Sequence, residues 1–287
     1  MLTKRKKHYK TPINRQLQSY GFSPLKRFSQ NFLTDERVAG KIIDALELTA
    51  DDTVIEIGPG LGILTERLLD TGAKVLAIEI DKGFADILDK RFGNRDNFEK
   101  IICQDALKVS YTELSAKYGR KFKVVSNLPY NISTPMIFKL LDEREVLSLL
   151  VLMLQKEVAQ RIVSQPDAKE YGVLSVFVQL LADVRIEFNV PPSCFYPAPK
   201  VYSSVVRFDI LQRPRVEVDD MEFFKKVVKA SFGQRRKTLF NALKALKLPV
   251  LKIRSALELS QIDLQRRGET LTLEEFGILS NKLKKIV

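Results

Sequence analysis

The sequence predicts an α/β fold: a mostly parallel sheet covered by helices on both faces, an antiparallel strand closing it, and a small all-helical domain at the carboxyl end. Three observations predict this. Short apolar runs alternate with segments of helical period between residues 53 and 155, the pattern of βαβ units and of strands buried on both faces. A glycine-rich turn and two acidic residues stand at the ends of the first three of those runs. From residue 212 onward every apolar pattern is helical.

The elements follow in order. Residues 1–25 are a basic extension, residues 26–211 hold the sheet, and residues 212–287 form the helical domain. "TVIEIG" (53–58) and "KVLAIEI" (74–80) read as buried strands, with "GILTERLLDTG" between them as a helix stopped by Gly72. "FEKIICQD" (98–105), "FKVVSNL" (122–128) and "LSLLVLMLQ" (147–155) continue the series. "YGVLSVFVQLLADV" then reads as a helix and "RIEFNV" as a strand. "PPSCFYPAPK" is a proline-set corner, and the alternating "VYSSVVRFDI" suits a hairpin partner that closes the sheet. Four helical segments end the chain: "DMEFFKKVVKASF", "KTLFNALKAL", "LKIRSALEL" and "TLEEFGILSNKLKK".

Composition narrows the chemistry. The only histidine, His8, sits in the charged amino-terminal stretch, which removes most zinc sites, Ser/His/Asp triads and histidine general bases. Cys103 and Cys194 are isolated from any ligand-type partner, so no metal site is expected. No apolar run approaches membrane-span length, and "MLTKRKKHYK" carries no apolar segment after its charges. A soluble, cytoplasmic protein is expected. The net charge of +12 is uneven: +8 over residues 1–30, −3 over 31–207 and +7 over 208–287. A near-neutral body between two basic flanks suits a catalytic centre with edges that grip a polyanion.

The first strand runs into "EIGPGLG", with glycines at 58, 60 and 62. Such a loop admits positive φ and brings backbone amides, and a helix N-terminus, against a ligand. A dinucleotide fingerprint would need glycine at 63 or 65, where Ile63 and Thr65 stand. Glu79 ends the second strand, 19 positions beyond Gly60, where a carboxylate can accept both hydroxyls of a ribose. Asp105 ends the third strand and can face the amino group of an adenine. Each acid alone reads equally as a cap or a solvated turn; the ordered set of Gly58, Gly60, Glu79 and Asp105 at successive carboxyl ends points to a nucleoside-bearing cofactor. At the end of the fourth strand "SNLPYNIST" places Asn127, Leu128, Pro129 and Tyr130 together, a combination suited to holding something flat.

This order resembles the class I S-adenosylmethionine (SAM)-dependent methyltransferases, whose sheet is Rossmann-like. Seven stretches, "KRFSQNFL", "EIGPGLGILT", "SNLPYNIST", "MLQKEVAQRI", "YGVLSV", "FYPAPKVYSSVVRF" and "FGQRRKTL", closely resemble the KsgA family of ribosomal RNA adenine dimethyltransferases, in the family's order. One departure is Ser29, where the family has glycine. The resemblance implies SAM contacts from Asn31, Leu33, Gly58, Glu79, Asp105 and Asn127. It implies two adjacent adenines near the 3′ end of small-subunit rRNA as substrate, and the pre-30S particle as partner of a monomer. The Asn127 oxygen and the Leu128 carbonyl would accept the two N–H bonds of the adenine amine, Pro129 would stiffen that carbonyl, and Tyr130 would stack on the base. The resemblance places Phe195 on the base's other face, which meets the need of enzymes that take a base out of its stack. Arg235, Arg236 and Lys237 would grip rRNA phosphates. Two alternatives stay open: an Erm-type enzyme acting on large-subunit rRNA, and a non-catalytic RNA-binding assembly factor.

Overall fold

Apolar, β-branched segments that can bury both faces become the inner strands of one sheet. The structure, a computed structural model, describes residues 31–234 and 236–286; the extension over residues 1–25, Ser29 and Arg235 lie outside the described residues. β1 (Phe32–Leu33) and α1 (Glu36–Asp44) lead into β2 (Thr53–Ile57), α2 (Ile63–Asp70), β3 (Lys74–Glu79), α3 (Lys82–Phe92) and β4 (Phe98–Cys103). Then come α4 (Tyr111–Tyr118), β5 (Phe122–Asn127), α5 (Ser133–Asp142) and β6 (Leu147–Gln155). These strands pair in parallel in the order β4-β3-β2-β5-β6. The chain builds outward from β2 in one direction and from β5 in the other, so the crevice where an open α/β sheet binds ligands falls at their carboxyl ends.

Strand periodicity divides the core. Ile55 and Ile57 of β2 face one cluster with α5, whereas Val54 faces a second cluster with α1 and α2. Every residue of β2 is buried, and each fully buried large apolar side chain stabilises the fold by roughly 1.5–3 kcal/mol. Helix starts carry their own signals. Asp35 accepts from the amides of Arg37 and Val38 ahead of α1, and Asp81 from Gly83 and Phe84 ahead of α3.

After β6 the chain forms α6 (Lys156–Val163), α7 (Val173–Leu181), β7 (Ala182–Val190), β8 (Phe195–Tyr196) and β9 (Ser203–Ile210). The sheet of seven strands, mostly parallel, ends in the antiparallel order β6-β9-β7. β9 does close the sheet, but as an inserted strand between β6 and β7. One boundary differs from the sequence reading: the helix predicted through Val184 ends at Leu181. From Ala182 the backbone is extended and pairs with β9, Ala182 opposite Ile210. The long-range ladder overrides the local helical period there.

Helices α8 (Met221–Phe232), α9 (Leu239–Leu243), α10 (Val250–Leu259) and α11 (Leu273–Lys285) complete the described chain. Thr272 and Glu275 form a capping box at the start of α11. Phe224 of α8 stands edge-on to Phe177 of α7 at 6.0 Å, and the Tyr171 hydroxyl donates to the Leu271 carbonyl at 3.1 Å. The carboxyl-terminal helices therefore share one continuous core with the sheet. Among the described residues no helix is long and apolar enough to cross a membrane.

Candidate active site

The glycine loop leaves β2 with positive φ at Gly58 (67°), Gly60 (56°) and Gly62 (82°). Gly58 donates to the Ile78 carbonyl at 2.9 Å, which carries the β2–β3 ladder one step further. A Cβ at Gly58 would meet nothing, so its α-carbon faces open space at the carboxyl edge; one at Gly62 would overlap Leu88 and Phe92 at 2.8 Å. The first glycine leaves room for a ligand and the third lets α2 pack against α3. Phe32 covers the loop, its ring 3.1 Å from where a Gly60 Cβ would stand and 5.6 Å from the Phe84 ring. The Arg91 guanidinium holds the Leu61 carbonyl from the other side.

Glu79 is buried at the end of β3 and uses its two oxygens separately. Oε2 accepts from the Gly60 amide at 3.2 Å and Oε1 from the Asp81 amide at 3.0 Å. Each oxygen keeps a second lone pair, and the carboxylate ties the loop after β2 to the turn after β3. Burial pushes its pKa up, against those amide bonds. Ile80, 51% exposed beside it, offers an apolar surface to a flat ring. Asp105 lies two residues past the end of β4, where its Oδ1 accepts from the Leu107 amide at 3.0 Å in a closed turn. Beneath the loop, the wholly buried Glu56 of β2 accepts from the Thr65 hydroxyl at 2.6 Å, and burial pushes its carboxyl up to about 8.

Asn127 ends β5, opposite Met153 of β6. Its Nδ2 donates to the Asn31 carbonyl at 2.9 Å. That bond orients the carboxamide, so Oδ1 is left as the acceptor. Leu128 is buried and its amide donates to the Met153 carbonyl at 3.2 Å. Among the described residues nothing donates to the Leu128 carbonyl or to Asn127 Oδ1. The next two carbonyls are engaged: Pro129 accepts from the Ile132 amide at 3.1 Å and Tyr130 from the Ser133 hydroxyl at 3.0 Å, as the chain turns into α5. The Tyr130 hydroxyl meets the Ser203 hydroxyl at 3.0 Å, and burial pushes the phenol pKa up. Two acceptors in search of N–H donors, beside a fixed ring, are what an exocyclic amine of a base requires.

Asn31, Leu33 and Phe195 come together across the short sheet β1–β8, in which Leu33 opposes Phe195 and Phe32 opposes Tyr196. The Thr34 amide and hydroxyl both bond the Cys194 carbonyl, at 2.8 and 3.0 Å, and secure that corner. Phe195 itself is packed with Leu33 and only 5% exposed. Among the described residues, the open aromatic rings at this edge are Tyr196, 37% exposed, and Tyr202, 52% exposed.

The sequence matches the family described as "Ribosomal RNA adenine dimethylase" over residues 21–283. The chain belongs to this family. It is an rRNA adenine dimethyltransferase and takes its methyl group from SAM. The dimethylase is 46% identical over 267 residues to "Ribosomal RNA small subunit methyltransferase A" of Clostridium acetobutylicum, covering 93% of this chain and 96% of that one. It is 45% identical over 273 residues to the protein of the same name from Alkaliphilus oremlandii, covering 94% and 95%. Among solved structures it resembles a dimethyladenosine transferase from Plasmodium falciparum, with a TM-score of 0.76 and 28% identity over 89% of this chain and 98% of that one. The 23S rRNA methyltransferase ErmE follows with a TM-score of 0.67 and 25% identity, over 88% and 100%.

In the dimethylase, Arg236 and Lys237 are exposed in the turn between α8 and α9; Arg235 lies outside the described residues. Neither Arg236 nor Lys237 pairs with an acid among the described residues. Close by in the chain, the Phe240 ring carries the Lys244 ammonium at 4.8 Å and the Arg254 guanidinium at 5.4 Å. Residues 237–257 hold five basic residues and no acid, a signal in the sequence that points to this face. Three further residues were missed by motif reading: Phe32 over the loop, Arg91 behind it, and Ser203 on Tyr130. Phe32 stands inside the quoted "QNFL" and could have been found there. Arg91 and Ser203 are tied to the site only by folding.

Proposed function

We propose that this enzyme dimethylates the exocyclic amines of two adjacent adenines near the 3′ end of small-subunit (16S) rRNA, acting on the pre-30S particle in the cytoplasm. The name of its bacterial relatives at about 45% identity supports the small subunit as substrate. The glycine loop, the amine clamp and the basic flank all lie on one chain, which supports action as a monomer.

The observation that carries the chemistry is the orientation of Asn127, whose donor is committed to Asn31 and whose acceptor adjoins the Leu128 carbonyl, to which no described residue donates. An adenine amine is a poor nucleophile because its lone pair is delocalised into the ring. Two acceptors drawing on its N–H bonds favour a pyramidal nitrogen, with the lone pair directed away from the ring. Bound SAM supplies an electrophilic sulfonium methyl. The residues fit that group: Gly58 leaves space, Glu79 presents second lone pairs to ribose hydroxyls, Ile80 and Asp105 suit the face and amino edge of its adenine, and Asn31, Leu33 and Gly60 border the same crevice. Positioning and electrostatics then provide the rate. The nitrogen sheds one proton to water after the first transfer and keeps one N–H for a clamp acceptor, so a second transfer follows.

Tyr130 stacks on the target base, with Pro129 stiffening the clamp turn. Phe195 is assigned the opposite face, which requires its ring to be uncovered as the base enters. Arg235, Arg236 and Lys237 hold rRNA phosphates. Incubation with unmethylated small subunits and SAM, followed by mass spectrometry of rRNA nucleosides, should give N6-dimethyladenosine. Large subunits should stay unmodified; the reverse pattern would select the Erm-type reading, and SAM binding without any product would select the assembly-factor reading.

A further inference from the structure

Next to the clamp, at the outer limit of the β6–β9 ladder, is an aromatic and a cation with no assigned task. Gln155 opposite Ser203 is the last pair of that ladder at the carboxyl edge of β6. One residue further out, the Lys156 amide donates to the Tyr202 carbonyl at 2.9 Å, which holds both backbones in place. The Lys156 ammonium stands 6.0 Å from the centre of the Tyr202 ring. Among the described residues Lys156 has no acidic partner. Tyr202 is 52% exposed, and its neighbour Val201 is 45% exposed.

Ser203, fully buried beside Tyr202, is the residue that bonds the Tyr130 hydroxyl. Tyr202 thus directly precedes in the chain the residue that holds the clamp ring. A substrate strand leaving the clamp on the side of Ser203 meets this pair. An exposed ring beside an unpaired cation matches a nucleotide, with a base to stack and a phosphate to neutralise.

We propose that Tyr202 and Lys156 form a shelf for the nucleotide that flanks the adenine held in the clamp, its base on the Tyr202 ring and its phosphate on the Lys156 ammonium. This rests on the adenine-methylating reading of the clamp. While one adenine of an adjacent pair is in the clamp, its neighbour lies on the shelf, which sets the register in which the two are taken.

The full-length protein is tested with two probes. The first is a short single-stranded RNA bearing two adjacent adenines, one replaced by 2-aminopurine, whose fluorescence is quenched on stacking. The second is the unmethylated small-subunit particle, assayed for methyl transfer. Tyr202→Ala should abolish the quenching and raise KM for the particle about tenfold, the scale of one base–aromatic stack. Tyr202→Phe should keep both properties. Lys156→Gln should reduce the log–log salt slope of RNA affinity by about 0.7. SAM affinity of each variant, measured by calorimetry, should equal the parent's and shows that the fold is intact. Unchanged quenching in Tyr202→Ala would overturn the shelf. A raised KM with quenching unchanged would also overturn it and assign the ring to a ribosomal protein. If the parent transfers no methyl group, the clamp reading fails, and the fluorescence result still decides the shelf.

Discussion

The Asn127 carboxamide gives its Nδ2 to the backbone carbonyl of Asn31 at 2.9 Å, across 96 residues of chain. A strand-end side chain that rotates freely presents donor and acceptor alike to a ligand. This one presents an acceptor, and Leu128 places a second beside it. The acceptor pair proposed as the clamp is therefore oriented within the fold itself, which is the condition under which fixed dipoles are most effective in a transition state.

Asn127→Ala should lower the single-turnover rate of methyl transfer by about 10²–10³-fold, the scale of one preorganised hydrogen-bond partner, while RNA affinity changes little. Asn127→Asp should be no better, because a carboxylate has no donor for the Asn31 carbonyl. Rapid-quench assays on unmethylated subunits measure both, and a parental rate in Asn127→Ala would remove the clamp from the mechanism.

Tyr130 and Ser203 should behave as one unit. Their hydroxyls meet at 3.0 Å with Ser203 buried, so Tyr130→Phe and Ser203→Ala remove the same bond. Each should reduce the rate modestly, and the double variant should lose no more than the worse single one. Losses that simply add in this cycle would show that Ser203 acts elsewhere.

Glu56 makes stability depend on pH. Burial raises its pKa in the folded protein from 4.5 to about 8. The native state therefore holds this proton where the unfolded chain has released it. Its contribution to stability is full below pH 4.5, declines as pH rises toward 8 and levels off above that. Glu56→Gln cannot ionise, so its melting temperature should gain on the parent's by several degrees across that window and run parallel beyond it. Melting curves from pH 5 to 9 test this, and a constant offset would mean that Glu56 stays ionised in the fold.

The basic turn after α8 should act on RNA alone. Neutralising Arg235, Arg236 and Lys237 together should leave SAM affinity at the parental value and weaken rRNA binding most at low salt. The log–log salt slope should fall by about 0.7 to 0.9 for each phosphate that is no longer neutralised. An unchanged slope in a salt titration would make these residues an ordinary solvated surface.

What could be read from the sequence was local. The short apolar runs and the period-3.6 segments between them placed β2 to β6, the glycines at 58, 60 and 62 announced the loop, and the adjacency of Asn127 to Tyr130 made the proposed clamp readable as a motif. Each depends on residues within a few positions of one another, where backbone sterics and amphipathic period act directly. Folding decided the rest. It ended α7 at Leu181, inserted β9 between β6 and β7, and buried Phe195 against Leu33 while leaving Tyr202 open. It also joined Asn127 to Asn31 and, across 73 residues, Tyr130 to Ser203. Pairings of that span follow from strand order and register, and these are settled by which long-range ladder and which two-sided core bury the most surface together. Local sequence thus determined which groups stand at the carboxyl edge, and tertiary structure determined which of their atoms remain available for chemistry.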